Sequence, residues 1–280
     1  MQIINLKKDI RKIIKQKQLE GKIISLVPTM GALHQGHEEL IKVARKEADL
    51  LVCSIFINKH QFNDKDDFKN YPKTINEDIK ICKKLNVDIL FMPEHEEIYP
   101  NNSKFNFNIN KLADKLCGKN RPNHFESVCL IICKLLNITQ ANRLYMGKKD
   151  YQQYIIINNL LKDLDYGTEL IAVETKRLKS GLAFSSRNSK ITEENLSKIA
   201  PLIYDELKKA SAKLKANPKD YKKIIEQSKQ NLILNGFEAI DYFEILDHEL
   251  NEFNGNVDKS IIFVAAYLNN VRLIDNINVR

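Results

Sequence analysis

The chain of 280 residues lacks the features that would place it in a membrane or outside the cell. Its apolar runs, such as residues 50–57 and 261–268, are far too short to cross a bilayer, which takes about 20 apolar residues. No secretory signal precedes the first predicted strand. The five cysteines are odd in number and include no C-x-x-C pair, which is typical of buried thiols in a reducing compartment. We therefore expect a cytoplasmic protein with no membrane partner.

Arginine is scarce, and this weakens the case for a nucleic-acid partner. The net charge is +8, but only eight of the 44 basic residues are arginine, and the lysines are scattered along the whole chain. A nucleic-acid footprint is clustered on one face and is often interleaved with aromatic side chains. We expect no nucleic-acid partner, although a positive field around a cleft would attract small anionic substrates.

The first two thirds of the chain alternate short apolar segments with amphipathic ones. Short apolar runs predict buried strands, and apolar residues at helical spacing predict helices. The alternation favours an α/β fold with a doubly wound parallel sheet, whose ligands bind at the carboxyl ends of the strands. The predicted strands are 23–27, 50–57, 89–92, 143–146 and 169–173, and the predicted helices are 38–48, 76–85, 124–136 and 150–164.

The pattern changes after Asn188, and no internal repeat or low-complexity linker separates the two parts. Lysine-rich helices followed by strands predict a smaller α+β domain at the C-terminal end. We place the boundary so that the larger domain covers 1–175 and the smaller one covers 176–280. The helices predicted in the smaller domain are 193–214 and 220–234, and its strands are 239–246, 261–267 and 271–274.

A turn with two histidines follows the first predicted strand directly. The segment PTMGALHQGH at 28–37 places His34 and His37 where a strand gives way to a helix. A helix N-terminus binds phosphate through its unpaired N–H groups and its dipole, and Gly31 and Gly36 leave room for a close approach. Two imidazole donors beside such a site can stabilise the charge that develops when an α-phosphate is attacked. The residues alone also allow an ordinary turn with two surface histidines.

Two further polar segments suit the binding of a nucleotide. In GKKD at 147–150, Lys149 can reach phosphates and Asp150 can accept from ribose hydroxyls. In SSR at 185–187, two hydroxyls and a guanidinium fork match a pyrophosphate group. The residues alone equally allow a solvated turn capped by Asp150 and a polar loop at a domain boundary.

In their order along the chain, these segments and several others resemble the pantothenate synthetase family, also called pantoate:β-alanine ligase, of the nucleotidyltransferase superfamily. The resemblance runs nearly end to end. An H-x-G-H turn would suit many nucleotidyltransferases, whereas PTMGALH, KDYQQ and GLAFSSRN in this order are specific to the one family. The matching segments are PTMGALHQGH at 28–37, SIFINKHQF at 54–62, YPKT at 71–74, LCGKNRPNHFESV at 116–128, KLLNI at 134–138, GKKDYQQ at 147–153, GLAFSSRN at 181–188 and VRLIDN at 271–276.

The resemblance implies an ATP-dependent ligase that works in two steps in one cleft. The carboxylate of pantoate attacks the α-phosphorus of ATP to give pantoyl adenylate and pyrophosphate, and the amine of β-alanine then displaces AMP to give pantothenate. The enzyme supplies no covalent nucleophile, so catalysis comes from positioning and charge stabilisation. The resemblance also implies a Rossmann-like first domain that binds nucleotide and pantoate, a C-terminal lid domain and a homodimer.

The resemblance further assigns roles to individual residues. The catalytic residues it implies are His34, His37, Lys149 and Arg187. The ATP contacts it implies are Met30, Gly31, Ala32, Leu33, His34, Gln35, Gly36, His37, Gly147, Lys148, Lys149, Asp150, Lys176, Phe184, Ser185, Ser186 and Arg187.

For the pantoate and β-alanine side, Gln61 and Gln153 match the two pantoate-binding glutamines of the family. An amide can donate to a carboxylate and accept from hydroxyls without a competing charge. Asn58 is expected beside them, near the β-phosphate. His124 is either a phosphate contact or a neighbour that caps a helix.

Two further histidines and the metal complete the expected roles. His95 and His248 are expected to be structural. Mg²⁺ is expected mainly on the ATP phosphates with few protein ligands. Asp78, and less strongly Glu77, are its candidates on the protein side.

Five positions depart from the family pattern. Lys59 stands where proline is usual, Lys148 replaces a glutamate and Lys176 replaces an aliphatic residue. Leu178 and Ser180 replace the acidic residues of the usual R-E-x-D before GLA. These changes bear on local geometry and on ATP affinity, but the catalytic set is intact, so we expect an active enzyme. We expect Lys148 to point out of the cleft or to pair with a carboxylate.

Two alternatives remain beside the ligase. A superfamily relative that transfers a nucleotidyl group to a phosphorylated alcohol should lack the paired glutamines. A nucleic-acid or regulatory nucleotide-binding module would bind nucleic acid tightly at physiological salt.

Overall fold

A parallel sheet of six strands forms the centre of the larger part of the molecule, in a computed structural model that describes residues 1–100, 105 and 107–279. The strands are β1 (Gln2–Ile4), β2 (Ile24–Thr29), β3 (Leu50–Ile55), β4 (Ile89–Phe91), β5 (Arg143–Gly147) and β6 (Glu169–Val173). Their order across the sheet is β1-β4-β3-β2-β5-β6, and every neighbouring pair is parallel. The inner strands are buried along almost their whole length, as is typical of a parallel sheet covered on both faces.

Helices cover both faces of this sheet. They are α1 (Lys7–Leu19), α2 (Gln35–Glu47), α3 (Lys65–Lys69), α4 (Ile75–Lys84), α5 (His95–Ile98), α6 (Leu116–Lys119), α7 (His124–Thr139) and α8 (Tyr151–Asp163). Because side chains alternate along a strand, Ile24 and Leu26 of β2 pack in one core with α1, α7 and α8. Val27 of the same strand packs in another core with α2 and α4.

The strand order places a switch point beside β2. From β2 the chain moves to β3 on one side, and it later returns to β5 on the other side. In doubly wound sheets, ligands bind outside the carboxyl ends of the strands at such a point. The predicted fold class is therefore confirmed, and the fold directs attention to the loops that follow β2 and β5.

The C-terminal part contains an antiparallel sheet with helices on one face. Its helices are α9 (Glu193–Lys198), α10 (Leu202–Ala216) and α11 (Tyr221–Leu234), and its strands are β7 (Ala239–Asp247), β8 (Ser260–Leu268) and β9 (Val271–Asn278), in the order β7-β8-β9. One face of β8, with Ile262 and Val264, packs on α10 and α11. The other face, with Phe263 and Ala265, joins the core of the larger part. The domain boundary at residues 175 and 176 stays a prediction.

The structure corrects the secondary structure predicted from the sequence in several places. The single helix predicted at 193–214 is wrong, because the chain breaks after Lys198 and a second helix starts after Pro201. No element was predicted before residue 23, where β1 and α1 lie. The last strand continues four residues beyond Ile274, because it pairs with β8 along its whole length.

The same described residues contain no helix that is both long and apolar enough to span a membrane.

Candidate active site

A cavity of about 240 Å³ lies at the carboxyl ends of β2 and β5. It gathers most of the residues predicted from the sequence, although they come from distant segments of the chain. Those that line it are Met30, His34, Gly36, His37, Asn58, Gln61, Gly147, Lys149, Asp150, Gln153, Lys176, Phe184, Ser185, Ser186 and Arg187. The predicted ATP contacts that lie outside its lining are Gly31, Ala32, Leu33, Gln35 and Lys148.

The turn after β2 is held in shape by one buried carboxylate. Asp78, on α4, accepts hydrogen bonds from the backbone N–H groups of Ala32 at 2.9 Å and Leu33 at 2.8 Å. Thr74 Oγ1 donates to the same carboxylate at 3.1 Å. Gly31 and Ala32 both have positive φ, and a Cβ on Gly31 would lie only 3.1 Å from the Asp78 carboxylate. A turn in this conformation thus needs both the glycine and its acidic partner.

The two histidines of the turn are oriented by backbone N–H groups. His34 caps α2, and its Nδ1 accepts from Gly36 N at 3.1 Å. Nδ1 of His37 accepts from His34 N at 3.4 Å, and the two rings lie 4.0 Å apart between centroids. Since each Nδ1 is an acceptor, each neutral ring carries its proton on Nε2. Both imidazoles can therefore donate a hydrogen bond through Nε2.

The surroundings keep both imidazoles neutral at physiological pH. Burial, and after it the neighbouring His37 and Lys149, lower the pKa of His34 to about 3. Burial and Lys149 lower the pKa of His37 to about 4. The rings are thus uncharged donors, and Lys149 is a cation beside them.

The turn after β5 presents Lys149 to the cavity and directs Lys148 elsewhere. Lys148 does not line the cavity and forms an ion pair with Glu174, the carboxylate pairing that was one of its two expected roles. The side-chain amide of Asn276, in β9, donates to the backbone carbonyls of Lys148 at 3.0 Å and Lys149 at 2.9 Å. A Cβ on Gly147 would meet nothing within 4 Å, so this side of the turn is open for a ligand.

The loop at 184–187 closes the cavity from the C-terminal side. Ser186 Oγ donates to the Ala32 carbonyl at 3.1 Å, which joins this loop to the histidine turn. The Phe184 ring stacks on His34 with the centroids 6.1 Å apart. Arg187 donates from Nη2 to Asp67 Oδ2 at 2.7 Å and lies 5.9 Å from the centroid of the Tyr71 ring.

An ion pair and a cation–π contact fix the base of this loop. Arg177 binds both carboxylate oxygens of the buried Asp275, at 2.5 and 2.9 Å. Its guanidinium also lies 3.7 Å from the centroid of the Tyr204 ring. Such a bidentate pair fixes orientation as well as distance, so β9 anchors the loop that carries Arg187.

The amide side of the cavity is also ordered. Asn58 is almost fully buried, and its amide donates to Gln61 Oε1 at 3.2 Å and to the Ser127 carbonyl at 3.3 Å. His124 Nδ1 lies 2.7 Å from the Gln61 carbonyl and donates to it, and burial lowers the pKa of His124 to about 3. His124 therefore holds the backbone at Gln61 and does not line the cavity. The sequence allowed a phosphate contact or a capping neighbour for His124. The structure shows a hydrogen bond to the Gln61 carbonyl, and the phosphate contact stays a prediction.

An apolar wall lies beside these amides, and the sequence motifs gave it no role. It is formed by Phe56 and by one face of α7, where apolar residues recur at helical spacing. The α7 residues in this wall are Val128, Ile131, Ile132 and Leu135. The spacing alone predicted a helix with a buried face, and only the fold shows that part of this face borders a cavity.

Several polar residues at the site also went unassigned, including three from different segments of the chain. Asp67 binds Arg187, Tyr71 lines the cavity and Asn276 holds the Lys148–Lys149 turn. Tyr71 and Asn276 lie in the matched motifs YPKT and VRLIDN. The sequence therefore marked both positions but assigned no role to either residue. His95 and His248 line neither this cavity nor the one next to it.

A second cavity of about 380 Å³ lies next to the first, against β9. Lys149, Asp150, Ser185 and Arg187 line both cavities, so they form the wall between the two.

A metal site made by protein side chains alone finds no support among the residues that the structure describes. Within those parts of the chain, no group of three His, Cys, Asp or Glu side chains could hold a metal ion. Both carboxylate oxygens of Asp78 accept backbone hydrogen bonds, and Glu77 is exposed on α4. A metal role for either residue stays a prediction.

Comparisons with a family model, with curated relatives and with solved structures all indicate the same family. The family model described as Pantoate-beta-alanine ligase matches residues 2–278. The chain is 44% identical to the pantothenate synthetase of Buchnera aphidicola subsp. Acyrthosiphon pisum (strain 5A), over 99% of this chain and 98% of the relative. It is 41% identical to the pantothenate synthetase of Aquifex aeolicus (strain VF5), over 96% and 95% of the two chains.

Solved structures match over the whole chain. The pantothenate synthetase of Thermus thermophilus superposes with a TM-score of 0.91 at 31% identity and covers 100% of this chain and 99% of its own. The pantoate-β-alanine ligase of Francisella tularensis, complexed with β-γ ATP and β-alanine, gives a TM-score of 0.85 at 36% identity, with 100% and 98% covered.

Proposed function

Because this chain belongs to the pantoate-β-alanine ligase family, and is thus a ligase that forms pantothenate, we propose that the cavity at the ends of β2 and β5 is its active site. One observation carries the proposal. The cavity combines a wall of cations and N–H donors with a wall of amides and apolar side chains. The first wall suits the phosphates of ATP, and the second suits a small branched hydroxy acid.

On the phosphate side, His34 and His37 donate from Nε2 to the α-phosphate, while Lys149 and Arg187 bind the phosphates beyond it. Two neutral donors and two cations stabilise negative charge where it grows in the transition state. A carboxylate oxygen of pantoate attacks the α-phosphorus, and the bond from that phosphorus to the bridging oxygen breaks. Pyrophosphate leaves, and pantoyl adenylate remains in the cavity.

On the amide side, Gln61 and Gln153 bind the carboxylate and hydroxyls of pantoate. The geminal methyl groups of pantoate pack against the apolar wall formed by Phe56 and α7. In the second step the amine of β-alanine attacks the carbonyl carbon of the adenylate. AMP leaves with the bonding electrons, and the amine loses a proton as the amide forms.

Three further features complete the proposal. Mg²⁺ arrives with ATP and is held mainly through phosphate oxygens, where it neutralises charge. The family resemblance supports a homodimer. The enzyme works in the cytoplasm, in keeping with five cysteines that are all buried and unpaired.

The proposal is tested by measuring AMP release from ATP, with each substrate omitted in turn. We expect AMP and pantothenate in equal amounts only when pantoate and β-alanine are both present. Turnover with a phosphorylated alcohol in place of pantoate would instead favour a nucleotidyltransferase of the same superfamily. Substitution of Gln153 by Ala should raise the KM for pantoate much more than the KM for ATP.

A further inference from the structure

Arg187 stands between the two cavities. It lines the candidate active site and also the second cavity, as Lys149 does. Lys190 and Arg272 line only the second cavity. A series of cations therefore leads from the phosphate side of the active site into the neighbouring cavity.

One carboxylate pairs with two of these cations. Asp67, on α3, places Oδ2 2.7 Å from Arg187 Nη2 and Oδ1 3.4 Å from Lys190 Nζ. The three side chains are only about a quarter exposed, at 27%, 28% and 27%. Burial by itself would raise the pKa of Asp67, but Arg187 and then Lys190 hold that pKa below its usual value. Asp67 is therefore a charged partner of both cations at neutral pH.

A carboxylate and a phosphate offer an arginine the same kind of oxygen pair. Asp67 and a phosphate group cannot occupy the same edge of the Arg187 guanidinium together. An anion that displaces Asp67 must break the ion pairs that Asp67 forms with Arg187 and Lys190. Its binding free energy is therefore less favourable by the free energy of those ion pairs. In a partly buried site this ion-pair free energy is larger than at a fully exposed one.

We propose that Asp67 is a positioning residue, an internal counter-ion that competes with pyrophosphate for Arg187 and Lys190 and so speeds its release into the second cavity. The inference rests on the proposed function, since pyrophosphate is the product of its first step. The competing carboxylate keeps the cations oriented and limits how tightly they hold the leaving product.

The inference is tested by calorimetric titration of inorganic pyrophosphate into the wild type and into Asp67→Asn. Asparagine keeps the shape of the side chain and removes its charge. We expect pyrophosphate to bind Asp67→Asn about 3- to 10-fold more tightly. We also expect kcat to fall while the KM for ATP falls or stays the same. Asp66→Asn is the matched control, because Asp66 lies exposed on the same short helix, and its affinity should equal that of the wild type.

A purely structural role for Asp67 predicts the opposite change in pyrophosphate affinity. If Asp67 only supported Arg187, its loss would weaken binding of both pyrophosphate and ATP, and that result would overturn the inference. Asp67→Glu should restore wild-type affinity, and Asp67→Ser tests the same loss of charge if the asparagine variant does not fold. Pantothenate formation by the wild type is measured separately. If the wild type forms pantothenate while Asp67→Asn binds pyrophosphate no more tightly, this inference fails and the proposed function stands.

Discussion

The histidine pair shows how single residues acquire their chemistry from the backbone around them. Each imidazole accepts a backbone N–H at Nδ1, and this leaves the Nε2 proton as the donor. Burial is the main reason that the pKa values of His34 and His37 fall to about 3 and about 4. A neutral imidazole can donate its Nε2 proton in a hydrogen bond without changing its protonation state. The pair therefore suits hydrogen bonding to a phosphate rather than acid–base exchange near neutral pH.

We predict that His34→Ala and His37→Ala each lower kcat by at least ~10², the effect expected for one donor aimed at developing charge. Both variants should stay folded, because neither imidazole belongs to the buried apolar core. Steady-state kinetics and thermal unfolding check the two parts. His248→Ala is the control, since His248 bonds Asn278 away from the cavity, and its kcat should be unchanged. Near-normal turnover in either active-site variant would rule out the assignment.

The adjacent lysines provide a matched comparison of two cations in one turn. Lys149 lines the cavity, whereas Lys148 does not line it and pairs with Glu174 at its edge. We predict that Lys149→Ala lowers kcat by ~10² or more, because a charge-assisted contact to the transition state is lost. Lys148→Glu should change kcat/KM by less than ~10-fold, since Lys148 itself does not line the cavity. Equal damage from both substitutions would mean that this chain uses two phosphate lysines.

At the scale of elements, the loops after β2 and β5 are aligned by helices and strands that come from elsewhere in the chain. Asp78 of α4 holds the first loop, and Asn276 of β9 holds the second. Strands β2 and β5 could be predicted because each contains a short run of mostly apolar residues. The roles of Asp78 and Asn276 could not be predicted in this way, since a single Asp or Asn on an amphipathic element forms no local sequence pattern. Likewise, Pro201 breaks a helix whose apolar spacing continues on both sides of it.

We predict that Asp78→Ala lowers the free energy of unfolding by about 3 kcal/mol, because the Ala32 and Leu33 N–H groups lose a charged acceptor. It should also lower kcat, since the histidine turn would shift. Chemical denaturation and kinetics measure the two effects. Glu77→Ala is the control on the same helix, where an exposed side chain should change stability by less than about 0.5 kcal/mol. If Asp78→Ala instead changed only the Mg²⁺ requirement, Asp78 would be a metal ligand and not a brace.

At the scale of the whole molecule, the two parts of the chain meet at the site. β9 contributes Asn276 to one loop and Asp275 to the base of another, so the proposed active site needs the last strand as well as the parallel sheet. The alternation of strands and helices was enough to predict the parallel sheet and the end of it that carries the site. The motifs were enough to predict most of the cavity lining.

What the sequence could not provide was the pairing of distant charges across the molecule. Asp67 and Arg187 are separated by 120 residues and lie in segments with no shared pattern. The same holds for Arg177 and Asp275, which are 98 residues apart. The Asp67–Arg187 pair follows from how the smaller part packs on the larger one, and the Arg177–Asp275 pair follows from how the smaller part itself folds. Contacts at that range leave no periodic trace in one sequence.

The central claim is that pantoate is activated by ATP before β-alanine reacts, in one cavity that supplies no covalent nucleophile. The most direct test is exchange of labelled pyrophosphate into ATP, measured with each substrate alone. We predict exchange with pantoate alone, because adenylate formation is reversible, and none with β-alanine alone. His37→Ala should lose this exchange together with overall turnover. Exchange that requires both pantoate and β-alanine would contradict a pantoyl adenylate formed in a separate first step.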